Sequence, residues 1–181
     1  MRMRWVILGG VLVLMVVGLV IAAGKLSENV VLKARAVQSQ ALMVGMTIGI
    51  KTFQLEYNHL PVAPPAPADE TTWQRSQGAI LNMLMGKDPK ANPLKISFFD
   101  PPAAKNKGNG LYDDESKGPV LADAWGEPFY YVMDLNGDGK IPNPDPRSNK
   151  ANPFINQTVI MISAGPDHDP NTWDDNVLSW R

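Results

Sequence analysis

The chain contains no cysteine, which excludes disulfides, thiolate metal sites and cysteine nucleophiles. An exported domain built without disulfides draws its stability from its core, its partners or an oxygen-ligated metal. There is no surplus of charge either: the formal net charge is -1 over 181 residues. That leaves no basic excess to neutralise phosphates and argues against a nucleic-acid binder. A Gly-rich phosphate cradle, a Ser nucleophile elbow and a His-x-x-x-His pair are all absent, so the common enzyme motifs are missing. Proline, with 16 residues in the chain, does not occur in 1–60.

That proline-free stretch opens with a charge-free apolar run, 5–24. At about 1.5 Å per residue, a helix over this run spans the ~30 Å hydrocarbon core of a membrane. Beyond it, Leu26, Val30, Val37, Ala41, Val44 and Ile48 are spaced by fours, threes and one seven, which places them on one helical face. A helix continuing to Asn58 is about 80 Å long. Such a rod suits attachment or stacking, and its apolar stripe wants a partner surface. The other reading of the start is a cleaved secretory signal, with Arg2 and Arg4 as its basic region and Val20-Ile21-Ala22-Ala23-Gly24 near the cut. The length of the run and the lack of a helix breaker at that point favour a retained span. Arg2 and Arg4 before the run are balanced by Lys25, Lys33 and Arg35 after it, so the positive-inside rule gives no orientation.

Three parts follow: 1–24 as the transmembrane part of the long helix, 25–60 as its amphipathic continuation, and 61–181 as one globular domain of about 120 residues. The proline-rich segment 61–67 reads as an extended spacer. A short helix is expected from Thr71 or Thr72, with Trp73, Ile80, Leu81, Leu84 and Met85 buried and Gly86 as its stop. Residues 94–99 have strand chemistry, 105–118 reads as a mobile polar loop, and strands are expected at 128–133 and 158–163. The predicted class is α+β, a long helix followed by a small antiparallel sheet.

Two acidic clusters carry the candidate chemistry. Counted from Asp134, oxygen side chains stand at positions one, three and five (Asp134, Asn136, Asp138), Gly139 at six, Lys140 at seven, Ile141 at eight and Asp145 at twelve. This is the calcium-loop pattern. Pro142, Pro144 and Pro146 forbid the exiting helix of an EF-hand, and the same letters also specify a plain Asn-Gly and Asp-Gly turn. The second cluster is Asp167-His168-Asp169 followed by Asp174-Asp175, whose carboxylates repel one another unless a cation or a set of donors offsets them. A hydrated acidic loop is the plain alternative. A hydrolase using Asp167 and Asp175 as acid and base, or His168 as base, is a third.

Three blocks in this order carry a resemblance: Asp123-Ala124-Trp125-Gly126-Glu127-Pro128-Phe129-Tyr130-Tyr131, then Val159-Ile160-Met161-Ile162-Ser163-Ala164-Gly165-Pro166-Asp167, then Asp174-Asp175-Asn176-Val177. Together they resemble the C-terminal half of type II secretion major pseudopilins. The resemblance implies a pilin-like, non-enzymatic subunit of a periplasmic filament. Its helix would be anchored in the inner membrane and its domain would lie on the periplasmic side. The implied partners are the membrane, further pseudopilin subunits in a homo-oligomer or hetero-filament, and the secretion machinery. It further implies calcium held by the carbonyl of Ala164 and the carboxylates of Asp167, Asp174 and Asp175, and makes the Asp134 loop a separate second site. The family's leader ends in Gly followed by Phe-Thr-Leu-x-Glu, whereas here Gly10 is followed by Val11 and the fifth residue after it is Met15. The expectation is therefore an unprocessed N-terminus and a subunit or an accessory that docks on a filament. The competing class is a membrane-tethered calcium-dependent binding module unrelated to filaments.

Overall fold

A computed structural model describes the backbone from Arg2 and the side chains from Glu28 to Arg181. The expected membrane span 5–24 lies outside the described side chains; among the described residues no helix is long and apolar enough to cross a membrane. The chain divides into two compact units, Met1–Arg35 and Ala36–Arg181. The first is helical, and its described side chains, Val30, Val31 and Leu32 among them, are exposed.

In the second unit the helix α1 (Arg2–Tyr57) supplies one wall of the core. Ser39, Leu42, Met43, Met46, Ile50 and Phe53 are buried, at the three- and four-residue steps that keep them on one side of a 3.6-residue helix. Gly45 and Gly49 lie on the same stretch because Phe99 comes in against them. A Cβ at Gly49 would sit 3.0 Å from the Phe98 carbonyl oxygen, and one at Gly45 would sit 3.0 Å from the Phe99 ring. Each mid-helix glycine costs about 0.5–1 kcal/mol against alanine, and the close approach of Phe99 offsets it.

Facing the helix is an antiparallel sheet of four strands in the order β1-β4-β7-β8, formed by Gln74–Arg75, Tyr130–Met133, Val159–Ser163 and Val177–Leu178. The expected strands 128–133 and 158–163 are present as β4 and β7, with Tyr131 opposite Met161 and Met133 opposite Val159. Those four side chains point into the α1 core. The alternate residues, Val132 and Ile160, point to the other face, where they form a second cluster with Ile141, Ile155, Trp73 and Trp180. The helix-plus-antiparallel-sheet, α+β architecture follows from these two alternations.

Three local expectations are corrected. The helix expected from Thr71 is α2, Ala79–Leu84, because Gln74 and Arg75 pair with β4 instead and carry Trp73 to the outer cluster. Its stop at Gly86 holds: φ is 72°, and a Cβ there would lie 2.6 Å from the Lys95 carbonyl oxygen. The expected strand 94–99 is an irregular loop. Asn92 holds it there, its amide donating to the carbonyls of Met83 (2.8 Å) and Ile96 (2.7 Å) while Oδ1 accepts from the Ile96 N–H and the Tyr57 hydroxyl. The expected mobile loop 105–118 contains β2, Gly110–Asp114, which pairs with β3, Gly118–Ala122. Asp114 closes that hairpin by accepting the N–H groups of Ser116 (3.0 Å) and Lys117 (3.2 Å). A further pair, β5 (Ile141–Pro142) and β6 (Phe154–Ile155), packs on the outer cluster.

Candidate functional site

The first two sequence blocks meet at a buried carboxylate. Asp123, fully buried, bends its own chain: Oδ1 accepts the N–H groups of Trp125 (2.9 Å) and Glu127 (3.0 Å). Oδ2 accepts the hydroxyl of Ser163, and the same hydroxyl accepts the N–H of Gly165 at 3.2 Å. Burial, the largest influence, pushes the Asp123 carboxyl up, while these donors pull against it. The turn is also fixed to α1, since Ser39 Oγ accepts the N–H of Ala124 at 3.0 Å.

From Ser163 the chain enters the second acidic cluster. Ala164 is buried and leads into a 3₁₀ turn, Gly165–Asp167. Gly165 has φ 71°, and a Cβ there would lie 2.5 Å from the Asp175 carbonyl oxygen; only glycine lets the two chain segments come so close. Across that contact the Thr172 hydroxyl donates to Asp167 Oδ2 and lies 3.4 Å from Asp175 Oδ1. The Thr172 bond, the largest influence, lowers the Asp167 carboxyl below its ordinary value. Asp174 is turned away, almost fully exposed, toward Arg147 Nη1 at 3.1 Å. Of the four expected ligand residues, Asp167 and Asp175 are thus brought to one hydroxyl with Ala164 beside them, and Asp174 is not. Among the described residues no three acidic or histidine side chains are gathered as a metal requires. The donor chemistry fits a hard, oxygen-seeking cation; the third carboxylate reaches it only by leaving Arg147.

The Asp134 loop is satisfied from within. Asp134 accepts the N–H groups of Gly137 and Gly139, Asn136 that of Asp138, and Asp138 that of Lys140, each at 2.8 Å. Gly137 and Gly139 take φ of 75° and 77°, the left-handed turns that glycine permits. Asp145 has a different employment from a twelfth-position ligand. It is fully buried, with Oδ1 bound to Arg147 Nε at 3.0 Å and Oδ2 to Arg147 Nη2 at 3.0 Å and Arg181 Nη2 at 2.6 Å. Arg147 therefore links the two acidic segments, one guanidinium shared between Asp145 and Asp174. His168 stands apart, its Nδ1 3.8 Å from Glu127, which pairs with Arg75 at 3.0 Å.

Sequence reasoning missed Ser163, Thr172 and Arg147 as members of the site. Ser163 ends β7 and Thr172 stands in the acidic loop, and the partner of each, like the Arg147 bridge, is set by how the chain folds back rather than by a local pattern. No protein-family model, curated protein or solved structure matches the chain.

A second feature concerns α1. Directly behind its buried row, Val37, Ala41, Val44, Ile48 and Leu55 form an exposed row. At about 100° per residue these five fall within roughly 60° of one line, on the side opposite Met46 and Ile50. Leu55 is 83 % exposed and Val37 66 %, so the stripe carries large apolar groups in water.

Proposed function

We propose that the chain is a structural, non-enzymatic pilin-like protein of a type II secretion pseudopilus, a subunit or a docked accessory supporting protein export. Its N-terminal run 5–24 anchors it in the inner membrane, and its globular domain lies on the periplasmic side. The observation that carries this reading is the two-sided helix. One face of α1 builds the domain core, and the opposite face offers Val37, Val44, Ile48 and Leu55 to a neighbour. Exposed apolar rows of this kind mark association surfaces, and a helix stripe buries itself best against another helix. The resemblance supports the same reading, since Asp123 of its first block and Ser163 of its second are directly bonded.

Calcium belongs to the proposal as a strut. Held by Asp167, Asp175 and the Ala164 carbonyl, with Asp174 drawn from Arg147, the ion supplies a cross-link between the turn at 164–167 and the loop at 172–175. The Thr172 hydroxyl, which donates to Asp167 and lies 3.4 Å from Asp175 Oδ1, already brings the two segments together. The Asp134 loop serves as a turn or a separate weaker site.

Because the chain has no cysteine, single cysteines report cleanly. Val37→Cys or Val44→Cys alone, oxidised in intact membranes beside the remaining secretion components, should give a crosslinked dimer, and the chain carrying both should give higher species. Monomers only, with calcium binding intact, would replace the filament reading by the tethered binding module.

A further inference from the structure

The outer face of the sheet, away from α1, carries a trough that the filament reading does not use. A pocket of 140 Å³ is lined by Trp73, Val132, Ile160, Pro142 and Pro144. A wider depression of 450 Å³ continues from it past Leu135 and Ala68. The two share Glu70, Thr71 and Pro142, so Glu70 stands at their junction. The residue is half-buried, and its Oε1 accepts the Asn136 N–H at 2.9 Å on the solvent side. Among the described residues it makes no ion pair. The only other charged side chain in the lining is Asp69, also acidic. Hydrogen bonds from Thr71 and Thr72 hold its carboxyl below the ordinary value, which keeps it anionic. The indole of Trp73 with Pro142 and Pro144 makes the wall apolar, and aromatic-lined grooves are one of the surfaces that take extended peptides.

We infer that this trough docks an extended peptide segment of another protein, one in which an Arg or Lys lies one or two places from an aliphatic or aromatic residue. The apolar side chain fills the pocket beside Trp73, and the cation meets the unpaired oxygen of Glu70. The pocket has room for about one such side chain, so affinity rests on one anchor and specificity on the charge. A second copy of α1 fits less well. It is helical rather than extended, and between Val37 and Leu55 its only basic residue, Lys51, is half-buried and bound to Gln157 at 3.2 Å. The inference stands whether or not the chain enters a filament.

The test uses the full chain in detergent micelles, immobilised and probed with a positional-scanning library of blocked octapeptides. Selection of Arg or Lys next to an apolar residue is expected, with the best peptide bound roughly tenfold more weakly by Glu70→Gln. That variant keeps an amide oxygen for the Asn136 N–H, and its unchanged melting shows that the fold is retained. Glu70→Lys should reverse the choice toward acidic peptides, and Trp73→Ala should remove the apolar preference. The inference is overturned by the absence of any selection, by equal affinity in Glu70→Gln, or by self-crosslinking of a Pro144→Cys variant, which would make a second copy the occupant.

Discussion

Asp123 and Ser163 are 40 residues apart in the chain and share a hydrogen bond in the interior, between the turn that opens β4 and the end of β7. Through Ser163 the carboxylate also fixes the N–H of Gly165, the first residue of the 3₁₀ turn that leads to Asp167. One buried acid therefore sets the geometry of two loops.

Its titration gives the first prediction. Burial raises the folded value of Asp123 above the ordinary 3.8, so the folded state holds this proton more tightly than the unfolded chain. The contribution to stability is complete below the unfolded value and is lost as pH rises through the folded one. Asp123→Asn has no such dependence. Urea midpoints measured between neutral pH and about 4 should shift in favour of the native Asp as the solution is acidified. A gap independent of pH contradicts this. Asp123→Ala strands the part-buried N–H groups of Trp125 and Glu127, each costing about 1 kcal/mol, the lower end for an unsatisfied donor.

Asp145 behaves oppositely. The hydrogen bonds from Arg147, its largest influence, lower its carboxyl below 3.8, so its stabilising effect is present above the unfolded value and lost as pH falls through the folded one. Asp145→Ala leaves Arg147 and Arg181 facing an empty buried position, and breaking a buried pair in this way costs about 3–5 kcal/mol. Both arginines are partly solvated, with side-chain exposures of 36 % and 48 %, which places the loss toward the lower end. Arg181→Ala should cost less than Asp145→Ala in the same chemical denaturation.

The core-forming part of α1 was legible as a run whose buried residues repeat at helical spacing, and β4 and β7 as short apolar runs, buried on both faces, between turn residues. The same rule failed at 94–99. There the apolar letters suit a strand, but Asn92 ties the backbone into a loop through contacts with Met83, Ile96 and Tyr57 that no local pattern encodes. It failed again at Gln74 and Arg75, a two-residue strand too short to show alternation. At the acidic loop, sequence placed Asp167 and Asp175 in one region. It could not show that Asp174 turns to Arg147 or that Thr172 stands between the other two, since both depend on where the chain folds back.

This division among the carboxylates yields a graded prediction for calcium. Binding at a hundred times the dissociation constant adds about 2.7 kcal/mol to the stability of the folded state. Asp175→Asn and Asp167→Asn should remove most of the rise in melting temperature that calcium produces over chelator. Asp174→Asn should remove less, because that group starts from its pair with Arg147, and Arg147→Ala should strengthen binding by freeing it. Asp138→Ala should leave this site intact, with any change confined to the number of ions bound in calorimetry. Equal melting of the native chain in calcium and in chelator removes calcium from the proposal.

The two faces of α1 make the last prediction, in which stability and association separate on one helix. Met46 and Ile50 are fully buried against the sheet, and truncating either to alanine should cost about 2–5 kcal/mol, more where the cavity cannot collapse. Val44 and Ile48 stand on the opposite side, 47 % and 55 % exposed. Val44→Lys and Ile48→Lys remove no core contact, and surface changes of this kind usually stay within about 0.5 kcal/mol. Lysine in a helix–helix seam must either be desolvated or hold the seam apart, so the same substitutions should abolish the crosslinks formed by Val37→Cys in membranes. Thermal melting and crosslinking of the four variants then give opposite patterns, Met46→Ala and Ile50→Ala unstable but still able to associate when folded, Val44→Lys and Ile48→Lys stable and monomeric. If the lysine variants crosslink as well as the native stripe, the exposed face of α1 is not the contact and the filament reading loses its main support.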